Sequence, residues 1–142
     1  MRLELRSFER DLEGAWSIMK FAKIVFLVAG IYGLIVLLPL YFLEQRTGQD
    51  FPPPITHPEY YYGFIGVGLA WQVLFLILSR NPKQYRAMMI PSIIEKASYG
   101  IAVMVLYLQQ RISTFTLGTA IVDSFLGVLF IVAYVKTGGT ET

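Results

Sequence analysis

The chain has 142 residues, of which 55% are hydrophobic and only 15% are charged, and its formal net charge is +2 at pH 7. Soluble domains carry about a quarter charged residues and nucleic-acid-binding domains carry clustered basic surfaces, so the composition excludes an ordinary soluble domain and predicts no nucleic-acid partner. The chain has no cysteine, and its single histidine, His57, lies outside the apolar runs, so we expect no protein-ligated metal or haem in the membrane.

Residues 1–22 are predicted to form a short amphipathic segment on the cytoplasmic side. Apolar side chains recur at helical spacing and charged side chains fall on the other face: Phe8, Leu12, Ala15, Trp16 and Met19 against Arg6, Glu9, Arg10 and Glu13. This pattern is typical of a helix that lies on the membrane surface. It also fits a helix that packs against a partner protein, and the sequence leaves both alternatives open.

Four apolar runs follow, each long enough to cross a bilayer. A spanning helix needs about 20 apolar residues, because ~30 Å of hydrocarbon is crossed at 1.5 Å per residue. The runs cover residues 24–43, 61–78, 88–108 and 115–135, within a transmembrane domain of residues 23–136 that is followed by a cytoplasmic tail of residues 137–142. Backbone groups in lipid must pair within their own segment, so the predicted fold is all-α, an integral membrane four-helix bundle.

Prolines predict where two of these helices bend or begin. Asn81, Pro82 and Gln84 match an N-cap, a first-turn proline and a capping-box partner. We therefore expect the third helix to begin at Pro82, in the interface, and to kink at Pro91. Pro39 lies late in the first span and predicts a bend there, because proline removes a backbone hydrogen bond.

Lysine and arginine residues predict the orientation of the bundle. Most of them flank one side: Arg2, Arg6, Arg10, Lys20, Lys23, Arg80, Lys83, Arg86 and Lys136. The opposite side carries only Arg46 and Arg111. Because basic residues are enriched on the cytoplasmic side of membrane proteins, both termini are predicted to be cytoplasmic, in a bacterial inner membrane.

Asp123 is the most informative residue in the apolar runs. It lies about eight residues, hence ~12 Å, inside the fourth span, near the bilayer middle. An aspartate at this depth costs several kcal/mol unless it is protonated, paired or facing a polar cavity. It therefore either forms an interhelical hydrogen bond or ion pair that fixes the bundle, or belongs to a ligand or proton site.

Glu95 and Lys96 allow two interpretations that depend on where the third helix enters the membrane. If entry is near Met88, both side chains can approach Asp123, Lys96 can pair with it, and Glu95 is then protonated or hydrogen-bonded, for example by Gln72. If entry is at Pro91, Glu95 lies one turn inside, at the positive end of a helix, and Lys96 extends towards the interface. The second arrangement makes both residues membrane anchors without a chemical role.

Five residues are the candidate site, either as ligand contacts or as a buried polar network. By helical rise they fall at a similar depth on three helices: Gln72, Glu95, Lys96, Tyr99 and Asp123. We call these five residues the polar layer. Ser98 lies beside them, and a purely structural role for Ser98 and Tyr99 is to permit close packing and one interhelical hydrogen bond. No catalytic or metal site is predicted from the sequence.

The third and fourth spans carry a resemblance to a known class of proteins. The stretches NPKQYRAMMIPSIIEKASYGIAVMVLYLQQR and DSFLGVLFIVAYVKT, together with the helix number and short connections, resemble small bacterial four-helix membrane proteins of the DoxX-like kind. Most of these are uncharacterised, and some are tied to redox partners or quinone-linked oxidases. The resemblance implies a redox association without assigning any site residue.

These observations lead to a ranked set of functional hypotheses. The first is a non-enzymatic accessory or structural subunit of a larger respiratory, photosynthetic or transport complex, whose partners are the bilayer and other membrane subunits or a second copy of the chain. The alternative is an intramembrane binder of a lipid, a quinone or another small hydrophobic ligand that uses the polar layer. A DoxX-like redox-associated protein is the second alternative, and an enzyme is expected least because no catalytic set is present.

Overall fold

The chain folds into helices joined by short connections in a computed structural model that describes residues 2–139. Five α-helices follow in order: α1 (Arg2–Leu37), α2 (Glu44–Asp50), α3 (Pro58–Arg80), α4 (Met89–Leu108) and α5 (Thr114–Gly138). Short 3-10 segments, Leu38–Phe42 and Arg86–Met88, precede α2 and α4. The described residues contain no strand, which confirms the all-α prediction. Residues 140–142 of the predicted tail lie outside the described residues.

Four of these helices are long and apolar enough to cross a membrane, and the chain is a multi-pass membrane protein. Within the predicted amphipathic segment of residues 1–22, the described residues 2–22 are helical and continue without a break into the first span, as one helix, α1. No proline interrupts this stretch, so the backbone has no reason to leave the helix between the two parts. The side chains of Phe8, Leu12 and Trp16 are exposed along it.

The backbone conformation at their C-terminal ends explains where α1 and α4 stop. Pro39 lies at the start of the segment Leu38–Phe42, where the α-helical hydrogen bonding of α1 gives way to 3-10 geometry, as expected for a proline late in the span. The C-terminal end of α4 is closed by a turn. In this turn Gln110 adopts a left-handed conformation (φ 57°), and the Arg111 amide donates a hydrogen bond to the Leu106 carbonyl at 3.0 Å.

The predicted start of the third helix at Pro82 is wrong, since α4 begins at Met89. The Asn81 side chain accepts a hydrogen bond from the Gln84 backbone amide at 3.3 Å and donates one to the Gln84 side-chain oxygen at 3.0 Å, but these bonds close a tight turn rather than cap the helix. Pro91 then lies in the first turn of α4, where its missing N–H breaks no helical hydrogen bond. The kink predicted at Pro91 is therefore unnecessary.

The four spans pack unequally. Helix α1 packs along α3, α4 packs along α5, and α1 also packs against α5, whereas α3 and α4 touch at few positions. Glycines allow the close contacts: a Cβ on Gly30 of α1 would approach the Gln72 carbonyl of α3 to 3.1 Å, and one on Gly127 of α5 would approach Lys96 Cβ to 3.1 Å. The bundle is therefore open along the line between α3 and α4.

Three phenylalanines form the centre of the hydrophobic core. Phe26, Phe75 and Phe130 come from α1, α3 and α5 and are fully buried. The rings of Phe26 and Phe130 stack with centroids 4.3 Å apart, and Phe75 meets Phe130 edge-on at 5.0 Å. This cluster fills the terminal half of the bundle, by which we mean the half nearest the two ends of the described chain.

Candidate functional site

The candidate site is organised around Lys96, a charged side chain in the apolar interior. Lys96 on α4 is only 4% exposed, and its Nζ lies 3.0 Å from Asp123 Oδ1 on α5, to which it donates a hydrogen bond. The same Nζ lies 3.3 Å from Glu95 Oε2 and 5.3 Å from the ring centre of Phe75. The ammonium therefore faces two carboxylates and one aromatic ring.

This arrangement follows the first of the two interpretations of Glu95 and Lys96. The side chains of Glu95 and Asp123 are 19% and 18% exposed, so neither reaches open solvent as an interfacial anchor would. Two carboxylates share one ammonium, which leaves a surplus of one negative charge when all three groups are ionised. Glu95 Oε2 is buried and has no hydrogen-bond partner, because its contact with Lys96 lacks hydrogen-bond geometry.

Gln72 also has a buried polar atom that makes no hydrogen bond. Its side chain is buried on α3, and Nε2 donates to the Gly68 carbonyl of the same helix at 3.0 Å. Oε1 is buried without a hydrogen-bond partner. The amide lies against Gly33 of α1, where a Cβ would overlap it. Only a glycine at position 33 leaves room for this side chain. The suggested hydrogen bond from Gln72 to Glu95 does not form: the amide nitrogen donates to the carbonyl of its own helix, and Glu95 Oε2 makes no hydrogen bond.

Tyr99 joins α4 to α5 at the other edge of the layer. Its hydroxyl lies 3.1 Å from Thr119 Oγ1, and Thr119 Oγ1 donates to the Thr116 carbonyl at 2.7 Å. Ser98 is exposed and donates to the Glu95 carbonyl of its own helix at 2.9 Å. Tyr99 therefore makes the interhelical hydrogen bond that the sequence suggested, whereas Ser98 bonds within α4.

A cavity of about 410 Å³ lies against this layer. All four spanning helices line it, with Tyr32, Gly33, Val36 and Leu37 from α1, Phe64, Val67, Gly68, Trp71 and Gln72 from α3, Glu95, Lys96, Ser98 and Tyr99 from α4, and Thr119 and Asp123 from α5. The five residues of the polar layer, predicted from the sequence as one group, all line the cavity. Sequence reasoning missed Tyr32, Trp71 and Thr119, because aromatic and threonine side chains are common in membrane spans and nothing in their spacing marks a face.

The phenylalanine cluster lies next to the polar layer, at one end of the cavity. Phe75, which forms one edge of the phenylalanine cluster, lies beside Lys96 at the end of the cavity. Helices α3 and α4 both line the cavity but touch each other at few positions.

The other polar groups of the described chain are less suited to bind a ligand or a metal ion. His57 Nδ1 lies 3.1 Å from Glu59 Oε1 at the start of α3, where both side chains are about two-thirds exposed, as expected for a solvated loop pair. Over residues 2–139 no group of three or more histidine, aspartate or glutamate side chains is placed to hold a metal ion. The side chains that line the cavity can therefore offer hydrogen bonds and charge to a ligand, and the remaining walls are apolar and aromatic.

No family model, curated protein or solved structure matches this chain. The resemblance to DoxX-like proteins stays a prediction, and the site must be interpreted from its own geometry.

Proposed function

We propose that this protein binds a small hydrophobic molecule inside the membrane, with the polar end of the ligand against the polar layer. The observation that carries the proposal is a cavity of about 410 Å³ that all five residues of the polar layer line, inside a bundle of apolar helices. A ligand headgroup that forms hydrogen bonds with the polar layer avoids the cost of about 1–3 kcal/mol that an unpaired buried polar group carries. Ligand pockets of this kind span roughly 300–1,000 Å³.

The walls of the cavity suit the apolar part of such a ligand. Val36, Phe64 and Val67 line it away from the polar layer, and Trp71 offers an aromatic face. The open side between α3 and α4 gives a lipid, a quinol or a comparable hydrophobic molecule a lateral route from the bilayer. Entry through the terminal half would require the phenylalanine cluster to separate.

An accessory subunit is the second candidate function, and the same open side supports it. A helix of a partner protein, or of a second copy of this chain, would cover the gap between α3 and α4 and complete the bundle. In that arrangement the polar layer stabilises the bundle, and the cavity is filled by the partner's side chains. A redox-associated role of the DoxX-like kind requires a redox partner in addition, since the chain has no cysteine.

We further propose that the terminal side faces the cytoplasm of a bacterium. Both ends of the described chain lie on this side, where Lys136 Nζ lies 5.3 Å from the ring centre of Phe21. Arg86 belongs to the same end and donates two hydrogen bonds to the Tyr134 carbonyl, at 3.3 and 3.2 Å. The accumulation of basic residues here supports the orientation.

Trp71 provides a test of the binding proposal. The chain has two tryptophans, and Trp16 is exposed on α1 while Trp71 lines the cavity. In a Trp16→Phe protein in vesicles, a bromine-bearing decanol should quench Trp71 fluorescence to saturation at low mole fraction. Unlabelled decanol should reverse the quenching by displacement.

Two valines on α3 make a matched pair of variants for this test. Val67 lines the cavity and Val73 does not, and both are exposed to a similar extent. Val67→Phe fills the cavity and should weaken saturable quenching at least fivefold, whereas Val73→Phe should leave it unchanged. Quenching that rises in proportion to mole fraction, with no saturation, would show that Trp71 only meets bulk lipid and that the cavity binds nothing.

A further inference from the structure

Helix α1 is much longer than the bundle to which it belongs. It has 36 residues and therefore extends for about 54 Å, whereas the hydrocarbon of a bilayer is ~30 Å thick. On the terminal side α5 ends at Gly138, and Lys136, two residues earlier, places its Nζ 5.3 Å from the ring centre of Phe21 on α1. The bundle therefore ends near the level of Phe21, and the preceding turns of α1 project beyond it.

The projecting part of α1 carries an apolar stripe, by which we mean Phe8, Leu12 and Ala15. Each of these lies 18 residues before a residue that packs into the bundle, in the order Phe26, Gly30 and Gly33. Eighteen residues make five complete helical turns, so the stripe continues the packing face of α1 in the same direction, towards α3. Phe8 and Leu12 are nevertheless 62% and 54% exposed.

The end of the bundle beneath this stripe is basic. Helix α3 ends there at Arg80, and the connection to α4 follows with Lys83; both side chains are exposed, as is Lys23 on α1. Residues 60–94 and 124–139 contain no aspartate or glutamate. The apolar stripe and these three basic residues form two sides of a recess that we call the terminal corner.

We propose that the terminal corner docks an amphipathic helix of a partner protein, with the apolar face of that helix on the stripe and its acidic side chains towards Lys23, Arg80 and Lys83. Apolar anchors at helical spacing supply the affinity in this mode of recognition, and opposite charges fix the orientation. The cavity is lined by other residues, so this inference is independent of the proposed binding function.

The bilayer fits the stripe less well than a protein helix does. Lys20 and Lys23 mark where α1 leaves the hydrocarbon, and Phe8 lies 12 residues before Lys20, hence about 18 Å further along the unbroken helix. The headgroup region is only about 5–8 Å deep on each side. Lipid therefore reaches the level of Trp16 but not that of Phe8.

A second copy of the chain also fits poorly. Two copies that share an orientation in one membrane have parallel α1 helices, and any contact between their stripes is symmetric. Because each stripe faces the side on which its own bundle lies, two stripes in contact would bring the two bundles into the same space. The occupant is therefore a separate element on the terminal side.

Two designed peptides test this proposal. Both are fluorescein-labelled helices of three heptads with leucine at positions a and d, and their charged positions are all glutamate in one and all lysine in the other. Each is titrated against the full chain in phosphatidylcholine nanodiscs, and fluorescence anisotropy is compared with that in empty nanodiscs. The glutamate peptide should bind with a Kd about tenfold lower than the lysine peptide. Equal Kd values, tighter binding of the lysine peptide, or no binding above that of empty nanodiscs would overturn the proposal.

Matched variants locate the binding on the terminal corner. Leu12→Ser should raise the Kd of the glutamate peptide about tenfold, whereas Leu108→Ser, at an exposed leucine on the opposite side of the bundle, should not change it. Arg80→Gln should raise the Kd several-fold, about threefold, and Arg10→Gln, on the opposite face of α1, should leave it unchanged. Equal effects within either pair would contradict the proposed surface.

The two other occupants are measured directly. In a Trp16→Phe and Trp71→Phe background, the indole of Phe8→Trp should not be quenched by phosphatidylcholine with brominated tails, and its emission should shift to the blue when the glutamate peptide binds. Quenching before the peptide is added would show that the start of α1 lies on the bilayer. A dimer in native mass spectrometry that Leu12→Ser dissociates and Leu108→Ser does not would show that a second copy covers the stripe. Either result would overturn the proposal.

Discussion

At the scale of single residues, the unusual feature is one ammonium that serves two carboxylates inside the membrane. Lys96 is paired with Asp123 at 3.0 Å and Glu95 at 3.3 Å. Removing a charge from a buried cluster is costly when it leaves the partner unpaired, and cheap when another partner remains. The three residues should therefore contribute unequally to stability.

We expect Lys96→Met to lower the free energy of unfolding most, by about 3–5 kcal/mol, because it leaves Glu95 and Asp123 buried with no counter-charge. Asp123→Asn should lower the free energy of unfolding less, since Lys96 still pairs with Glu95. Glu95→Gln should lower it least, since Lys96 keeps its hydrogen bond to Asp123. Reversible unfolding in mixed detergent micelles measures all three.

The exposed carboxylates give matched controls for this series. Asp50→Asn removes one member of an exposed pair with Arg46, and Glu59→Gln one member of the exposed pair with His57, so both should change stability by less than about 1 kcal/mol. Equal effects across the buried and exposed variants would mean that the Lys96 cluster is solvated, contrary to its burial.

The sequence predicted the members of this cluster but not its details. Helical rise alone puts Gln72, Lys96 and Asp123 at one depth, because charged residues stand out in an apolar run. It could not decide between a buried and an interfacial Lys96, because that depends on whether the third helix enters the membrane near Met88 or at Pro91. Nor could it show that Gln72 turns its donor to Gly68 and leaves its oxygen unpaired, since that choice is made by local packing against Gly33.

At the scale of helices, the contact between α1 and α3 determines the shape of the site. Gln72 rests on Gly33, so a methyl group at position 33 should push the amide out of place. We expect Gly33→Ala to lower the free energy of unfolding by about 1–3 kcal/mol and to weaken decanol binding together with it. Thermal unfolding and Trp71 quenching in the same preparation measure both effects.

Gly63→Ala on α3 is the control for this substitution. A Cβ on Gly63 meets nothing within 4 Å, so only the helix propensity changes, and alanine should be neutral or stabilise by about 0.5–1 kcal/mol. If both variants behaved alike, the Gly33–Gln72 contact would have no role in stability.

The helices themselves were predictable from the sequence to a greater extent than their packing. Long apolar runs indicate spans because the bilayer thickness sets their length. They give no information on neighbours, because nearly every side chain in a span is apolar and a lipid-facing phenylalanine looks like a buried one. Phe26, Phe75 and Phe130 could therefore not be assigned to one core, and the gap between α3 and α4 could not be foreseen.

At the scale of the whole molecule, the proposed orientation is testable because the chain has no cysteine to replace. Single variants Gln84→Cys and Gly139→Cys on the terminal side, and Gln49→Cys and Gln109→Cys on the other, are compared in intact bacterial cells. A membrane-impermeant maleimide should label only Gln49→Cys and Gln109→Cys, and the other pair only after lysis. The reverse pattern would invert the orientation, and mixed labelling on one side would contradict the four-span topology.

Both candidate functions depend on the same feature of the molecule, because the open side between α3 and α4 can admit either a ligand or a partner helix. The measurement that decides between them most directly is native mass spectrometry of the protein extracted gently from its own membrane. Our account predicts one chain, or a homodimer, that carries one small hydrophobic molecule per cavity and loses it in Val67→Phe but not in Val73→Phe. Other protein subunits at a fixed ratio, with no such molecule bound, would contradict the binding proposal and support the accessory role.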